Sequence, residues 1–148
     1  MTSVRKFAII ASCLILTSAL QARENQISLE ILRPEPGKKS LLKLKLNLEN
    51  DLGKRASFNL AFPEKYDLSS MKIAGSKNLK GGFQLSKSGQ NISIVRKGGG
   101  AAAIAGSDVE IIFGTITVPG ENAPKSVEIT IEFNSESQKS HKETLTIQ

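Results

Sequence analysis

The segment from Leu42 to Asn50 is the feature that most constrains the fold, because apolar and polar residues alternate through it without a break. Successive side chains of a β-strand point to opposite faces, so the leucines at 42, 44, 46 and 48 share one face of a strand. The residues between them, which include Lys43 and Lys45, share the other face. This pattern is typical of an antiparallel strand with one buried side and one solvated side.

The same alternation recurs along the chain between turn-forming residues, and no segment shows a sustained helical period. The stretch from Tyr66 to Gly82 is the exception: we expect it to be irregular, with a brief helical turn at residues 67–70. About eight short strands with turns between them predict an all-β fold, an antiparallel β-sandwich of immunoglobulin-like or cohesin-like type. The predicted strands centre on residues 27–31, 42–48, 56–62, 83–85, 92–94, 109–118, 127–133 and 145–147.

One predicted strand changes phase at Gly114. Val109 and Phe113 belong to one alternation, whereas Ile116 and Val118 belong to the other. A single extra residue in a strand produces such a shift, so we expect a β-bulge or sharp bend at this glycine. The strand phases together predict a core of Leu42, Leu44, Leu46, Leu48, Phe58, Leu60, Phe62, Val109, Ile111, Phe113, Ile129 and Ile131.

Residues 1–22 have the organisation of a secretory signal peptide. Arg5 and Lys6 precede an apolar run from Phe7 to Leu20, and Ala22 ends the segment before polar residues begin. The run is shorter than the roughly 20 residues needed to cross a bilayer, which disfavours a membrane anchor. A lipidated Cys13 is an alternative, but the residues after it stay apolar, and the cysteine also suits a small apolar position.

Removal of these 22 residues from the 148 leaves a single domain of 126 residues, 23–148, and lowers the formal charge from +6 to +4. The only cysteine leaves with the signal peptide, so the exported chain forms no disulfide and depends on its core. We expect a secreted, periplasmic or cell-surface protein with no membrane-spanning segment after cleavage.

Candidate catalytic residues are few. The only histidine, His141, lies in a run of polar residues that predicts an exposed hairpin loop between the last two strands. A loop of that kind is poorly suited to aligning a catalytic histidine with a nucleophile and a carboxylate. Zinc prefers histidine and cysteine, which this chain scarcely supplies. We therefore expect no enzyme activity and no cofactor, and we expect function to be independent of His141.

Three aspartates beside predicted turns, Asp51, Asp67 and Asp108, are weak candidates for calcium ligands, although none belongs to a spaced calcium loop. The stretch Gly98–Gly106 lacks the Lys-Ser/Thr ending of a phosphate-binding loop. Two interpretations of it stay open: a flexible loop or edge segment, or a flat surface that a partner's backbone approaches.

Four lysines, Lys38, Lys39, Lys43 and Lys45, are the candidate binding residues. A basic stripe of this kind attracts polyanions, but lysine on a strand also protects a sheet against edge-to-edge aggregation. The chain has one tyrosine and no tryptophan, too few aromatic rings to stack nucleic-acid bases. The same shortage weakens a carbohydrate-binding interpretation.

The order of these features resembles cohesin-type and related immunoglobulin-like modules of bacterial surface proteins. The turn Pro36-Gly37 precedes the alternating strand, a strand ending in Phe62 leads to Tyr66-Asp67, and two late strands follow at 108–113 and 127–133. The resemblance implies a sandwich that binds a protein or builds surface structure. Tyr66-Asp67 lies beyond Pro63-Glu64-Lys65, displaced from the family's pattern, so no specific partner such as a dockerin is implied.

The sequence thus predicts an exported, non-enzymatic β-sandwich for protein–protein interaction, adhesion or cell-surface structure. The alternative is a glycan- or polyanion-binding module that uses the basic face from Lys38 to Lys45. A salt-sensitive affinity for acidic polymers would favour the alternative, whereas a protein partner would favour the first hypothesis.

Signal-peptide cleavage after Ala22 predicts that the exported protein begins at Arg23. Intact-mass measurement and N-terminal sequencing of exported material check this expectation. A lipid-modified species that begins at Cys13 would contradict it.

Overall fold

The computed structural model of the protein describes residues 26–134 and 139–148. The predicted signal peptide and Cys13 lie outside the described residues. Nine strands form the described part of the chain. They are β1 (Ile27–Ile31), β2 (Lys39–Asn47), β3 (Ser57–Ala61), β4 (Ile73–Ser76), β5 (Phe83–Ser88), β6 (Asn91–Arg96), β7 (Asp108–Thr117), β8 (Ser126–Glu132) and β9 (Ser140–Thr146).

The strands form two antiparallel sheets that pack face to face. The four-stranded sheet has the order β1-β2-β7-β4, and the five-stranded sheet has the order β5-β6-β3-β8-β9. The predicted β-sandwich is therefore confirmed. Across the described residues, no helix has the length and apolar character needed to cross a membrane.

Strand β4 lies within the stretch that the sequence predicts to be irregular. It has only four residues, two of which are Ala74 and Gly75, so it shows no apolar alternation. Pairing with β7 makes it a strand, since Ile73 lies opposite Gly114 and Ser76 lies opposite Ile111. The expected helical turn before it is a single turn closed by the Met71 N–H, which donates to the Leu68 carbonyl at 3.0 Å.

The phase change at Gly114 is a β-bulge, as predicted. Ser40 of β2 lies opposite Ile116, and the next residue, Leu41, lies opposite Gly114, so Thr115 is the extra residue on β7. The bulge returns the apolar residues on both sides of it to the core, because Phe113 and Ile116 are both fully buried.

The last residues of the chain join the two sheets. Strand β9 pairs with β8, but beyond it Gln148 reaches the edge of β1, where its N–H donates to the Leu29 carbonyl at 3.1 Å and its carbonyl accepts from Ile31. The adjacent residue Ile147 still donates to Lys125 beside β8 at 2.8 Å. This segment therefore covers part of the β1 edge, which would otherwise be open to pairing with other chains.

The core lies between the sheets, and all twelve residues predicted for it are buried. Leu46, for example, is only 3% exposed, whereas its neighbour Lys45 is on the outer face. The alternation in β2 thus separates core from solvent residue by residue.

Arg96 is a charged residue at an inward position of β6, and it is only 2% exposed. Its guanidinium donates to four backbone carbonyls: those of Leu52 and Gly53 at 3.3 and 2.7 Å, and those of Lys80 and Ala101 at 3.3 and 2.8 Å. No carboxylate of the described residues forms an ion pair with it, and burial lowers its pKa. One side chain therefore holds together three loops, those after β2, β4 and β6.

Glycines allow two of these loops to touch. A Cβ on Gly100 would lie 2.1 Å from the Lys80 carbonyl oxygen, and one on Gly81 would lie 2.4 Å from the Gly100 nitrogen. A backbone does approach this glycine-rich stretch closely, but it is the protein's own. Ala103 also forms a two-way backbone bridge with Leu52, which joins the glycine-rich stretch to the loop after β2.

Replacement of Leu46 by Ala is expected to lower the free energy of unfolding by about 2–5 kcal/mol, because it removes a buried side chain and leaves a cavity. Lys45→Ala is the matched control on the opposite face and should cost less than about 0.5 kcal/mol. Urea denaturation of both variants measures the difference. Equal losses would show that the face assignment is wrong.

Replacement of Arg96 by Met is expected to cost about 3 kcal/mol or more, because four buried or partly buried carbonyls lose a charged donor. Arg55→Met removes an exposed arginine nearby and should cost less than about 0.5 kcal/mol. Thermal and urea denaturation compare the two, and Gly100→Ala should be destabilising in the same assay. A mild effect of Arg96→Met would contradict the role assigned to the guanidinium.

Candidate functional site

Three of the four predicted lysines share a face of the sandwich. Lys39, Lys43 and Lys45 point outward from β2, the second strand of the four-stranded sheet, and Lys38 lies in the turn just before it. The structure therefore brings the strand lysines into a row along the outer face of this sheet, as the alternation predicts.

The neighbouring strands bring carboxylates against this row. The Lys45 Nζ lies 3.3 Å from Glu30 Oε2 on β1, and Lys45 is also the register partner of Glu110 on β7. Lys43 is the register partner of Glu30. Cross-strand neighbours lie about 5 Å apart, so the positive charge of the row is offset locally. Positive side chains on β2 thus lie beside negative side chains on β1 and β7. Sequence alone could not show this arrangement.

Lys39 lies near a carboxylate as well. The pKa of Asp67 is lowered chiefly by hydrogen bonds from Ser69, whose N–H donates to Asp67 Oδ1 at 2.9 Å. Thr117 and the charge of Lys39 lower it further. Asp67 therefore favours its ionised form at the end of this sheet.

An apolar patch lies beside the lysine row on the same outer face. It consists of Leu41, Ile73, Gly75, Ile112 and Gly114, and it is called the outer patch below. Ile73 is opposite Gly114 and Gly75 is opposite Ile112, so each isoleucine of the patch has a glycine as its neighbour across β4 and β7. Ile73 is 62% exposed, whereas Leu41 and Ile112 are half-buried.

The two glycines play different parts in the patch. A Cβ on Gly114 would lie 2.7 Å from Leu41 Cδ2, so the leucine side chain lies over that glycine. A Cβ on Gly75 would meet nothing within 4 Å. Gly75 therefore leaves open space beside Ile73 and Ile112, with room for an apolar group from another molecule.

Sequence reasoning missed the outer patch, although part of the signal was present. Leu41 follows the alternating pattern in the polar phase of β2, and Ile112 does so in β7. Apolar residues at outward positions mark an exposed apolar surface. Ile73 and Gly75 gave no such signal, since β4 itself was not predicted.

The three candidate calcium ligands are not brought together. Asp108 begins β7, whereas Asp67 bridges Thr117 at the other end of that strand. Each has its own hydrogen-bond donor: Ala105 N–H for Asp51, Asn47 Nδ2 for Asp108, and Ser69 N–H for Asp67. Within residues 26–134 and 139–148, no group of three or more metal-ligating side chains gathers.

His141 lies in strand β9 and not in a loop, so the loop prediction for it is wrong. It pairs with Ile131 of β8, and its Nε2 lies 3.0 Å from Glu143 Oε2. Strand β9 is an edge strand, which can keep polar side chains partly exposed while it pairs on one side. The polar sequence of such an edge strand therefore resembles the sequence of a loop.

Comparisons with known proteins support the fold. No family model matches the sequence, and no curated protein matches it either. Among solved structures, the major pilin SpaD from Corynebacterium diphtheriae matches 83% of this chain at 11% identity, with a TM-score of 0.57. The major pilin BcpA of Bacillus cereus matches 84% at 10% identity, with a TM-score of 0.52. A cohesin from Acetivibrio cellulolyticus scaffoldin B matches 84% at 12% identity, with a TM-score of 0.46.

The resemblance to β-sandwich modules of bacterial surface proteins, predicted from the strand order, is thus confirmed as a likeness of fold. The chain spans 34% of the SpaD pilin and 40% of the BcpA pilin. At these identities the likeness concerns architecture, and the site has to be read from this chain's own residues.

Proposed function

We propose that the protein is an exported, non-enzymatic module of the bacterial cell surface that binds another protein through the outer patch. The observation that carries the proposal is the apolar surface that Ile73 and Ile112 form around the open position Gly75, on an otherwise polar sheet face. Protein interfaces commonly have an apolar centre and a polar rim. Here Glu30, Lys43 and Lys45 supply the rim.

The charges favour a protein over a polyanion as the ligand of this face. Lys43 and Lys45 have glutamates as cross-strand neighbours, so the face presents both signs of charge. A polyanion favours a surface of one sign, whereas a protein rim can match alternating charges. The pilin and cohesin folds among the similar structures are consistent with a surface role, since such folds occur in pilus subunits and in a dockerin complex.

The chemistry of the remaining candidates agrees with a non-enzymatic role. His141 is paired with Glu143 at a sheet edge, and the three aspartates are at separate places with their own donors. The proposed binding needs shape, apolar contact and hydrogen bonds at the sheet face. His141→Ala and treatment with a chelator should therefore leave it intact.

Gly75→Val is the sharpest test of the outer patch, because it fills the open space above Gly75 without disturbing the fold. The position is in a strand, where valine is favoured, and the added side chain meets open space. Gly120→Val is the matched control, since a Cβ there also meets nothing within 4 Å and the residue lies in a loop away from the patch.

The measurement is photocrosslinking in the native host, with a photoreactive amino acid in place of Lys43 at the rim. We expect a covalent adduct with a protein, reduced about tenfold or more by Gly75→Val and unchanged by Gly120→Val. The same reagent at Thr130, on the outer face of the other sheet, should give no such adduct. Adducts that are equal from both faces, or insensitive to Gly75→Val, would refute the proposal.

A further inference from the structure

The loops at one end of the sandwich differ in charge from those at the other. Around Arg96 the described loops carry the basic residues Lys54, Arg55, Lys77, Lys80, Lys97 and Lys139 against two acidic ones, Glu49 and Asp51. At the opposite end, basic and acidic residues nearly cancel in the loops 32–38, 62–72 and 118–125. The formal positive charge of the described chain is therefore concentrated at the Arg96 end.

The loops that carry the basic residues at this end contact one another. Arg96 binds the carbonyls of Lys80 and Ala101, which brings those two loops together. The Arg55 side chain lies beside Gly98, within 3.7 Å of where a Cβ would be, and the Lys97 N–H donates to Gly82 at 3.1 Å. Arg55, Lys80 and Lys97 are exposed, and none has an ion-pair partner in the part of the chain that the structure describes.

An exposed apolar tip projects from the same end. Ala101, Ala102, Ile104 and Ala105 are all exposed, and Ile104 is 68% exposed, more than any other large apolar residue described. No charged residue interrupts the chain from 98 to 107. The apolar tip and the basic loops therefore lie at the same end of the sandwich, where Lys80 and Asp108 line the same surface depression as Ile104.

The backbone holds this tip in place. Ala103 exchanges two hydrogen bonds with Leu52, at 2.7 and 3.0 Å. The Ala105 N–H donates to Asp51 Oδ1 at 2.8 Å, and the next residue, Gly106, donates to the Leu48 carbonyl. The backbone on both sides of Ile104 is therefore anchored, which limits the backbone ordering that binding through this side chain would require.

We propose that the Arg96 end docks onto an anionic lipid surface. Ile104 and the alanines would enter the headgroup region, while Arg55, Lys80 and Lys97 meet lipid phosphates. Peripheral membrane binding combines buried apolar area with attraction to anionic lipids, and this end supplies both. A soluble polyanion would use the basic residues but would gain nothing from an apolar tip. The proposal is independent of the outer patch, which lies on a sheet face and would stay accessible.

The test is co-sedimentation of the exported protein, shown by mass to lack the apolar stretch 7–20, with vesicles. One set contains phosphatidylcholine and phosphatidylglycerol in a three-to-one ratio, and the other contains phosphatidylcholine alone. We expect binding to the anionic vesicles only, weakened by salt. Ile104→Asp should reduce the partition coefficient about tenfold or more, and so should the double variant Lys80→Glu with Lys97→Glu.

Ile73→Asp is the matched control, because it places the same charge at the other highly exposed isoleucine, on the sheet face. It should leave vesicle binding unchanged. All of the substituted side chains are exposed, and thermal denaturation verifies that each variant is folded. No binding to anionic vesicles would overturn the proposal. Vesicle binding that survives Ile104→Asp would also overturn it. That result would indicate that the basic residues act without the apolar tip, and such an end would also bind the soluble polyanion heparin.

Discussion

One whole end of the sandwich depends on the hydrogen bonds that the Arg96 guanidinium donates. A buried charge is costly unless its donors are matched, and here four backbone carbonyls accept from Nη1 and Nη2 in place of a carboxylate, while Nε has no partner among the described residues. Those carbonyls belong to loops that leave three different strands. The planar fork of arginine can reach several acceptors at once, which a lysine ammonium does less well. The glycines at 81 and 100 complete the arrangement by letting the loops touch.

Two surfaces are proposed to bind partners. One is the outer patch on the four-stranded sheet, and the other is formed by the loops around Arg96. On the four-stranded sheet, β4 adds Ile73 and Gly75 to the outward residues of β7 and so completes the outer patch beside a row of balanced charges. At the Arg96 end, fixed loops present an apolar tip among basic side chains. One surface is a sheet face and the other is a loop end, so both could be occupied in one molecule.

The fold was largely readable from sequence because its strands are amphipathic. Leu42–Leu48 and the strand around Ile129 alternate strictly, and their inward residues are the core. The bulge at Gly114 was readable for the same reason, as a break in phase. Strand β4 could not be predicted from sequence, because its four residues show no apolar–polar alternation. Its conformation is decided by pairing with β7. His141 was misplaced because an edge strand tolerates a polar sequence that looks like a loop.

The candidate site was less readable than the fold, and the cause is physical. The lysines of β2 were placed on the correct face, but their glutamate neighbours on β1 and β7 depend on strand order and register, which are long-range properties. Arg96 continues the alternation of Ile92 and Ile94, yet a charged residue at the end of a strand normally reaches solvent. Only the convergence of three loops gives it enough acceptors to stay inside.

The absence of a carboxylate partner for Arg96 among the described residues has a consequence for how the loop end responds to acid. An ion pair between an arginine and an aspartate is lost when the aspartate is protonated. Backbone carbonyls do not titrate, and arginine keeps its proton throughout the biological range even when burial lowers its pKa. The hydrogen bonds that join the loops around Arg96 are thus insensitive to acidification.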